Sequence, residues 1–149
     1  MRAIIQRVTK SNLYIDNKLY SSINKGMLVL LAIEKNDEYE DLEYIAKKTL
    51  GLRIFSDSED KMNLSIKDID GEIMIVSQFT LYGDARKGNR PSFTNSADSK
   101  KAEYFYEKFI DKVKENIKIV ETGVFGADMQ IEFVNDGPVT IQLDSSKIY

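Results

Sequence analysis

The chain has 149 residues, 42% hydrophobic and 30% charged, with a formal net charge of −3. That length suffices for one domain with a real core, and the slight negative charge argues against a broad phosphate-binding face, so any nucleic-acid contact is expected to be local or confined to one end of the polymer. With no cysteine and no histidine, composition excludes a disulfide framework, a thiolate nucleophile, a Ser-His-Asp triad, a His-ligated zinc site and an imidazole base.

Ala3 to Ile15 and Leu19 to Ile23 flank Asp16-Asn17-Lys18 as a hairpin, and Gly26 opens a buried strand, Met27 to Ile33. That strand is the longest apolar run, far short of the roughly 18 residues a membrane helix needs. The opening Met-Arg-Ala-Ile-Ile-Gln-Arg lacks the apolar stretch of a signal peptide, so a cytoplasmic protein with no membrane partner is expected. Asp37 with Glu40 has the form of a capping box, and Leu42, Ile45, Ala46, Thr49 and Leu50 follow helical spacing as far as Gly51. Arg53 to Phe55 reads as a short strand and Ser56 to Gly71 as a polar connection. Within it, Asp57 to Lys61 suggests a calcium loop, but Met62 stands where the sharp turn of such a loop needs glycine. A solvated acidic loop is the simpler reading.

Ile73 to Val76 reads as a central strand running into Ser77-Gln78-Phe79-Thr80-Leu81, followed by a basic loop. Asp98 is placed to cap a second helix with an apolar stripe of Ala102, Phe105, Tyr106, Phe109, Ile110 and Val113. Tyr39, Tyr44 and the aromatics of that stripe read as core rather than as stacking platforms for bases. Met129, Ile131 and Phe133 then alternate with polar residues, as do Val139, Ile141 and Leu143. Between them Asn135-Asp136-Gly137-Pro138-Val139-Thr140 reads as a hairpin turn, since Asn, Asp, Gly and Pro are the usual turn residues. The sum is an α+β fold: a mainly antiparallel, strongly curved sheet with two main helices, in a single domain spanning 1–149.

Two polar sets can carry chemistry. Ser77-Gln78-Phe79-Thr80 follows directly on an apolar strand, which would hold its hydroxyls, amide and backbone N–H groups on a rigid element; Ser and Thr at strand ends also commonly just close off hydrogen bonding. Arg86-Lys87-Gly88-Asn89-Arg90 gathers three cations on one loop, suited to a backbone phosphate or two, or simply solvated. No phosphate-cradling glycine motif appears, so cofactor-free and metal-free chemistry is expected.

These residues resemble the D-aminoacyl-tRNA deacylase family across essentially the whole chain. The likeness begins at Ala3-Ile4-Ile5-Gln6-Arg7-Val8 and continues through Arg53-Ile54-Phe55-Ser56-Asp57, Lys61-Met62-Asn63-Leu64, Asn89-Arg90-Pro91-Ser92-Phe93 and Gly126-Ala127-Asp128-Met129-Gln130. Its diagnostic motifs are Ser77 to Leu81 and Asn135 to Thr140. Ser99 is one departure, where relatives often carry proline in the first helical turn, a position that supports helix entry rather than chemistry.

The resemblance implies a homodimeric enzyme that cleaves the ester joining a D-amino acid or glycine to the 3′-terminal adenosine of tRNA. It implies that a cis Gly137-Pro138 of one subunit enters the other's active site and rejects L-amino acids, with Arg7 and Thr140 in support. Backbone N–H groups near Gln78 and Phe79 become oxyanion donors, and Ser77 and Thr80 orient the terminal nucleotide or the ester. Phe125 and Met129, with Arg86 and Arg90 on the basic loop, become substrate contacts. Such an ester carries a neighbouring 2′-hydroxyl, so a site without histidine has to position it and stabilise an oxyanion more than supply a strong base. Thr80 or Thr140 as nucleophile is an alternative that lacks an activating base. A non-catalytic module binding the tRNA end, or an interaction domain, are two further classes; DNA is not an expected partner.

Overall fold

The computed structural model describes residues 1–148. In chain order it forms β1 (Arg2–Ile15), β2 (Lys18–Ile23), β3 (Gly26–Ala32), α1 (Tyr39–Gly51), β4 (Phe55–Ser56), β5 (Met62–Leu64), β6 (Glu72–Ser77), a 3-10 turn (Phe79–Tyr82), α2 (Ser99–Lys114), β7 (Val120–Thr122) and β8 (Gln130–Asp144). β1 is the spine of the main sheet. β8 pairs with it antiparallel from Arg2 to Tyr14, so β3, which pairs with Arg2 to Val8, and β2, which pairs with Ser11 to Ile15, share the opposite edge. Asp16 and Asn17 both take positive φ at the β1–β2 turn, the conformation of a tight turn that matches strand twist.

The sheet is mixed rather than mainly antiparallel. β3 pairs parallel with β6, and β6 parallel with β7, because α1 and then α2 lie in the intervening connections and return the chain to the same end of the sheet. Side chains of β3 and β6 therefore alternate between two buried faces. Met27, Val29, Leu31, Ile73 and Ile75 meet the helices through Leu42, Ile45, Phe109 and Val113. Leu28, Met74 and Val76 line the other face with Val8 and Leu13, against Met129, Ile131 and Phe133. Burial on both faces is what makes these strands read as unbroken apolar runs. The sheet curls until β2 nears β7, where Ser21 Oγ donates to the Thr122 carbonyl at 3.0 Å.

Several local expectations shift. The cap of α1 is Glu38, whose N–H donates to Asp41 Oδ2 at 2.9 Å; Asp37 is instead buried, its carboxylate receiving the Glu34 N–H at 2.7 Å and the Met1 amine. Asp98 caps α2 as expected, accepting the Lys101 N–H at 3.0 Å. The short strand is Phe55–Ser56 rather than Arg53 to Phe55. Tyr39, the first residue of α1, is exposed rather than core. The central strand expected at Ile73 to Val76 spans Glu72–Ser77, and the segment it runs into tightens into the 3-10 turn. The expected late hairpin is absent: Gln130–Asp144 is a single strand interrupted by a bulge. Among the described residues no helix is long and apolar enough to cross a membrane.

Candidate active site

Parallel pairing sets the C-terminal ends of β3 and β6 side by side, with Leu31 in register with Ser77. Ligands bind at such carboxyl ends in open sheets, and a cleft of about 500 Å³ opens there. Ser77, Gln78, Phe79, Phe125 and Met129 are among the residues that line it. The segment before α2 borders it, tied to the end of β3 by Lys35 N–H to the Asn95 carbonyl and Ala97 N–H to the Ile33 carbonyl, both at 3.0 Å.

The turn after β6 is tightly tied. Gln78 N–H donates to the Leu31 carbonyl at 2.7 Å, so of the N–H groups expected near Gln78 and Phe79 this one is already engaged by the neighbouring strand. Phe79 and Thr80 open the 3-10 turn, so their N–H groups lack acceptors within it. Gln78 Nε2 donates to Thr80 Oγ1 at 2.5 Å, and Ser96 Oγ donates to the Phe79 carbonyl at 3.1 Å. The Phe79 ring is 57% exposed and meets Phe93 edge-on at 5.1 Å between centroids. Tyr82 closes the turn, its ring under Arg2 at 4.5 Å. Burial pushes its phenol far above the ordinary range, so it is no base near neutral pH.

Gly137 and Pro138 stand apart from this cleft. They are exposed on β8, joined by a cis peptide bond, with Gly137 at φ +118. Gln6 pairs with Thr140 and Val8 with Asn135, so Asp136, Gly137, Pro138 and Val139 bulge opposite Arg7 alone. Arg7 Nε reaches the Asp136 carbonyl at 3.2 Å and its carboxylate at 3.0 Å, while Nη1 donates to the Ile54 carbonyl at 2.7 Å. Thr140 Oγ1 accepts from Asn135 Nδ2 at 3.0 Å. Ile131 of β8 lines the cleft; at ~3.3 Å per residue the strand carries Gly137 up to roughly 20 Å beyond it.

Arg86 and Arg90 are exposed and outside the lining of the cleft. Arg86 is paired with Asp84 at 2.7 Å, which leaves Lys87 and Arg90 to present the loop's net charge. Ser96 and Asp128 border the cleft and were not singled out as site residues from sequence, although Asp128 lies within a stretch matching the family pattern. A second groove of about 550 Å³ lies near the ends of α1 and α2. Three of its cations are engaged locally: Lys112 by Glu43 at 2.9 Å, Arg53 by the Asn63 carbonyl at 2.7 Å and Lys67 by Asn116 at 2.7 Å. Among the described residues no three acidic side chains converge as a metal site requires.

The profile of a family described as D-Tyr-tRNA(Tyr) deacylase matches residues 4–144. A protein of Clostridium botulinum (strain Alaska E43 / Type E3) called D-aminoacyl-tRNA deacylase is 54% identical over 147 residues, covering 99% of each chain. The chain belongs to the D-Tyr-tRNA(Tyr) deacylase family. A D-aminoacyl-tRNA deacylase of Thermosipho melanesiensis is 53% identical over 150 residues, covering 100% of each chain. Among solved structures, one described as c-Myc DNA Unwinding Element Binding Protein superposes with a TM-score of 0.92 at 39% identity, covering 97% of this chain and 98% of that one. Another, described as a probable eukaryotic D-amino acid tRNA deacylase, gives 0.82 at 20% identity over 95% and 97% of the two chains and shows the shared fold. The family's relatives are thus named as hydrolases of the aminoacyl-tRNA ester, and the site must be read for ester chemistry without an imidazole.

Proposed function

We propose that this chain, working as one domain, is a cytoplasmic editing hydrolase that cleaves the ester of D-aminoacyl-tRNA and of mischarged glycyl-tRNA, and spares L-aminoacyl-tRNA. The observation that carries the reading is the cleft at the ends of β3 and β6, opened by the same Ser77-to-Thr80 turn on which much of the family likeness rests. The terminal adenosine lies against Phe125 and Met129, and the ester carbonyl faces the Phe79 and Thr80 N–H groups. Water adds to the carbonyl carbon, the oxyanion is held by those donors, and collapse breaks the bond to the ribose 3′-oxygen, releasing free amino acid and tRNA. The ribose 2′-hydroxyl assists the proton transfers, and Ser77 orients the nucleotide. Lys87 and Arg90 meet the phosphates of the acceptor end.

Selectivity is by exclusion. The exposed Gly137-Pro138 bulge of one subunit enters the cleft of a second copy and faces the α-carbon, its carbonyls receiving the substrate amino group and leaving no room for an L side chain. Arg7 and Thr140 support it from behind. Two features support a homodimer: the bulge lies well away from its own cleft, and β8 has no pairing partner but β1 among the described residues, which leaves a long strand edge open. The test is release of D-tyrosine from D-Tyr-tRNA by the purified protein. Turnover is expected; tight binding without release would instead establish a tRNA-end-binding module.

A further inference from the structure

The bulge on β8 has a second fastening besides Arg7. At its base the Asn135 side chain spans the gap in the ladder: Oδ1 accepts the Val139 N–H at 3.0 Å, and Nδ2 donates to Thr140 Oγ1 at 3.0 Å. Gln6 Nε2, from the facing strand, reaches the same hydroxyl at 3.4 Å. One amide thus replaces the inter-strand bonds that the extra residues displace, as side-chain amides do in local turns. Pro138 has no N–H, so the Val139 N–H is the first backbone donor after Gly137.

We infer that Asn135 is a positioning and specificity-determining residue, whose amide closes the base of the Gly137-Pro138 bulge and thereby fixes the surface that separates D from L substrates, with Gln6 backing it through Thr140. This rests on the proposed role of the bulge. Arg7 holds the entry of the bulge through Asp136; Asn135 holds its exit. Without the exit bond the Val139 N–H is left to water, and Gly137, free of a Cβ, lets the segment relax. A relaxed wall excludes less, so the loss is expected in discrimination more than in the rate on glycine, which carries no side chain to exclude.

The substitutions that separate this from a general packing role are Asn135→Leu, which removes donor and acceptor while keeping the branched four-heavy-atom shape, and Asn135→Asp, which keeps the acceptor for Val139 and can accept from the Thr140 hydroxyl. Steady-state deacylation of D-Tyr-tRNA, L-Tyr-tRNA and Gly-tRNA is measured for each, with hydrogen exchange of the Val139 amide in the wild-type protein. The expected result is at least a tenfold fall in the D-to-L ratio of kcat/KM for Asn135→Leu, with Gly-tRNA changed less than threefold, restoration of the ratio by Asn135→Asp, and slow exchange at Val139. An unchanged ratio in folded Asn135→Leu, equal losses in both variants, or an unprotected Val139 amide overturns the inference. If Asn135→Leu fails to fold, Gln6→Ala replaces it and is expected to lower the ratio by a smaller factor; no change there overturns the backing role. Should the wild type cleave no aminoacyl-tRNA, the functional reading fails, while exchange at Val139 still decides whether the clamp exists.

Discussion

At position 137 a β-carbon would lie 2.9 Å from Arg7 Nη2 and 2.8 Å from Val139 Cγ2, on a backbone at φ +118. Glycine is therefore required by its own scaffold, whatever it faces. Gly137→Ala is expected to cost about 1–3 kcal/mol, the usual range for a side chain in a sparsely populated backbone region, and to displace the Arg7 guanidinium; urea unfolding measures the first and deacylation the second. Thr80 occupies a different kind of place. Its hydroxyl is engaged by Gln78 and no base stands beside it, so Thr80→Ala is expected to keep deacylation within roughly tenfold of wild type. A 2′-deoxy acceptor should lose far more, because the substrate supplies that group; a collapse of Thr80→Ala with the 2′-deoxy substrate still turned over would favour the threonine nucleophile. At this scale the sequence was partly legible. Residue types without histidine narrowed the chemistry, and strand-then-polar order flagged Ser77 to Thr80, but the engagement of the Gln78 N–H by Leu31 depends on a parallel neighbour that spacing cannot reveal.

Among elements, α2 shows how the site is anchored. Its Asp98 cap sets its start, beside the cleft-bordering Ser99 and Ala102, and Tyr106 fastens it to the sheet. Tyr106 Oη donates to the Ile75 carbonyl at 2.8 Å, a carbonyl that also receives the Gly123 N–H at 3.1 Å. Tyr106→Phe therefore leaves that carbonyl one partner, and the expected loss of about 1 kcal/mol, read from urea unfolding, is that of a single buried hydrogen bond. A loss several times larger would mean the ring itself shifts. Both helices were legible from their 3.6-residue stripes. The parallel pairing of β3, β6 and β7 was not, because a strand buried on both faces shows no alternation and no pairing sense. β8 was misread for a related reason: Asn-Asp-Gly-Pro serves a bulge as well as a turn, and only the register against β1 separates them.

For the molecule as a whole, acid should be the sensitive axis. Hydrogen bonds from Asn63, Ser65 and Arg86 hold Asp57, Asp68 and Asp84 below the usual carboxylate range, Asp84 at about 2. A depressed carboxylate stabilises the fold in its ionised form, so its contribution is complete above the unfolded value near ~3.9 and disappears as pH falls through the folded one. Asp68 is exposed and Asp57 and Asp84 are half-buried at the surface, so each contributes little. Together they predict a melting temperature that declines from about pH 4 toward pH 2; a flat profile over that window would show these bonds to be loose in solution. The sheet curls so that the ends of β3 and β6 open onto the cleft while β8 carries the bulge elsewhere; in the proposed function these are the two halves of a site that a second copy completes. The most direct measurement of chiral editing is deacylation of D-Tyr-tRNA and L-Tyr-tRNA side by side with the same purified protein. Release of D-tyrosine faster than L-tyrosine by at least roughly a hundredfold is expected, and equal rates on the two would contradict selection by exclusion.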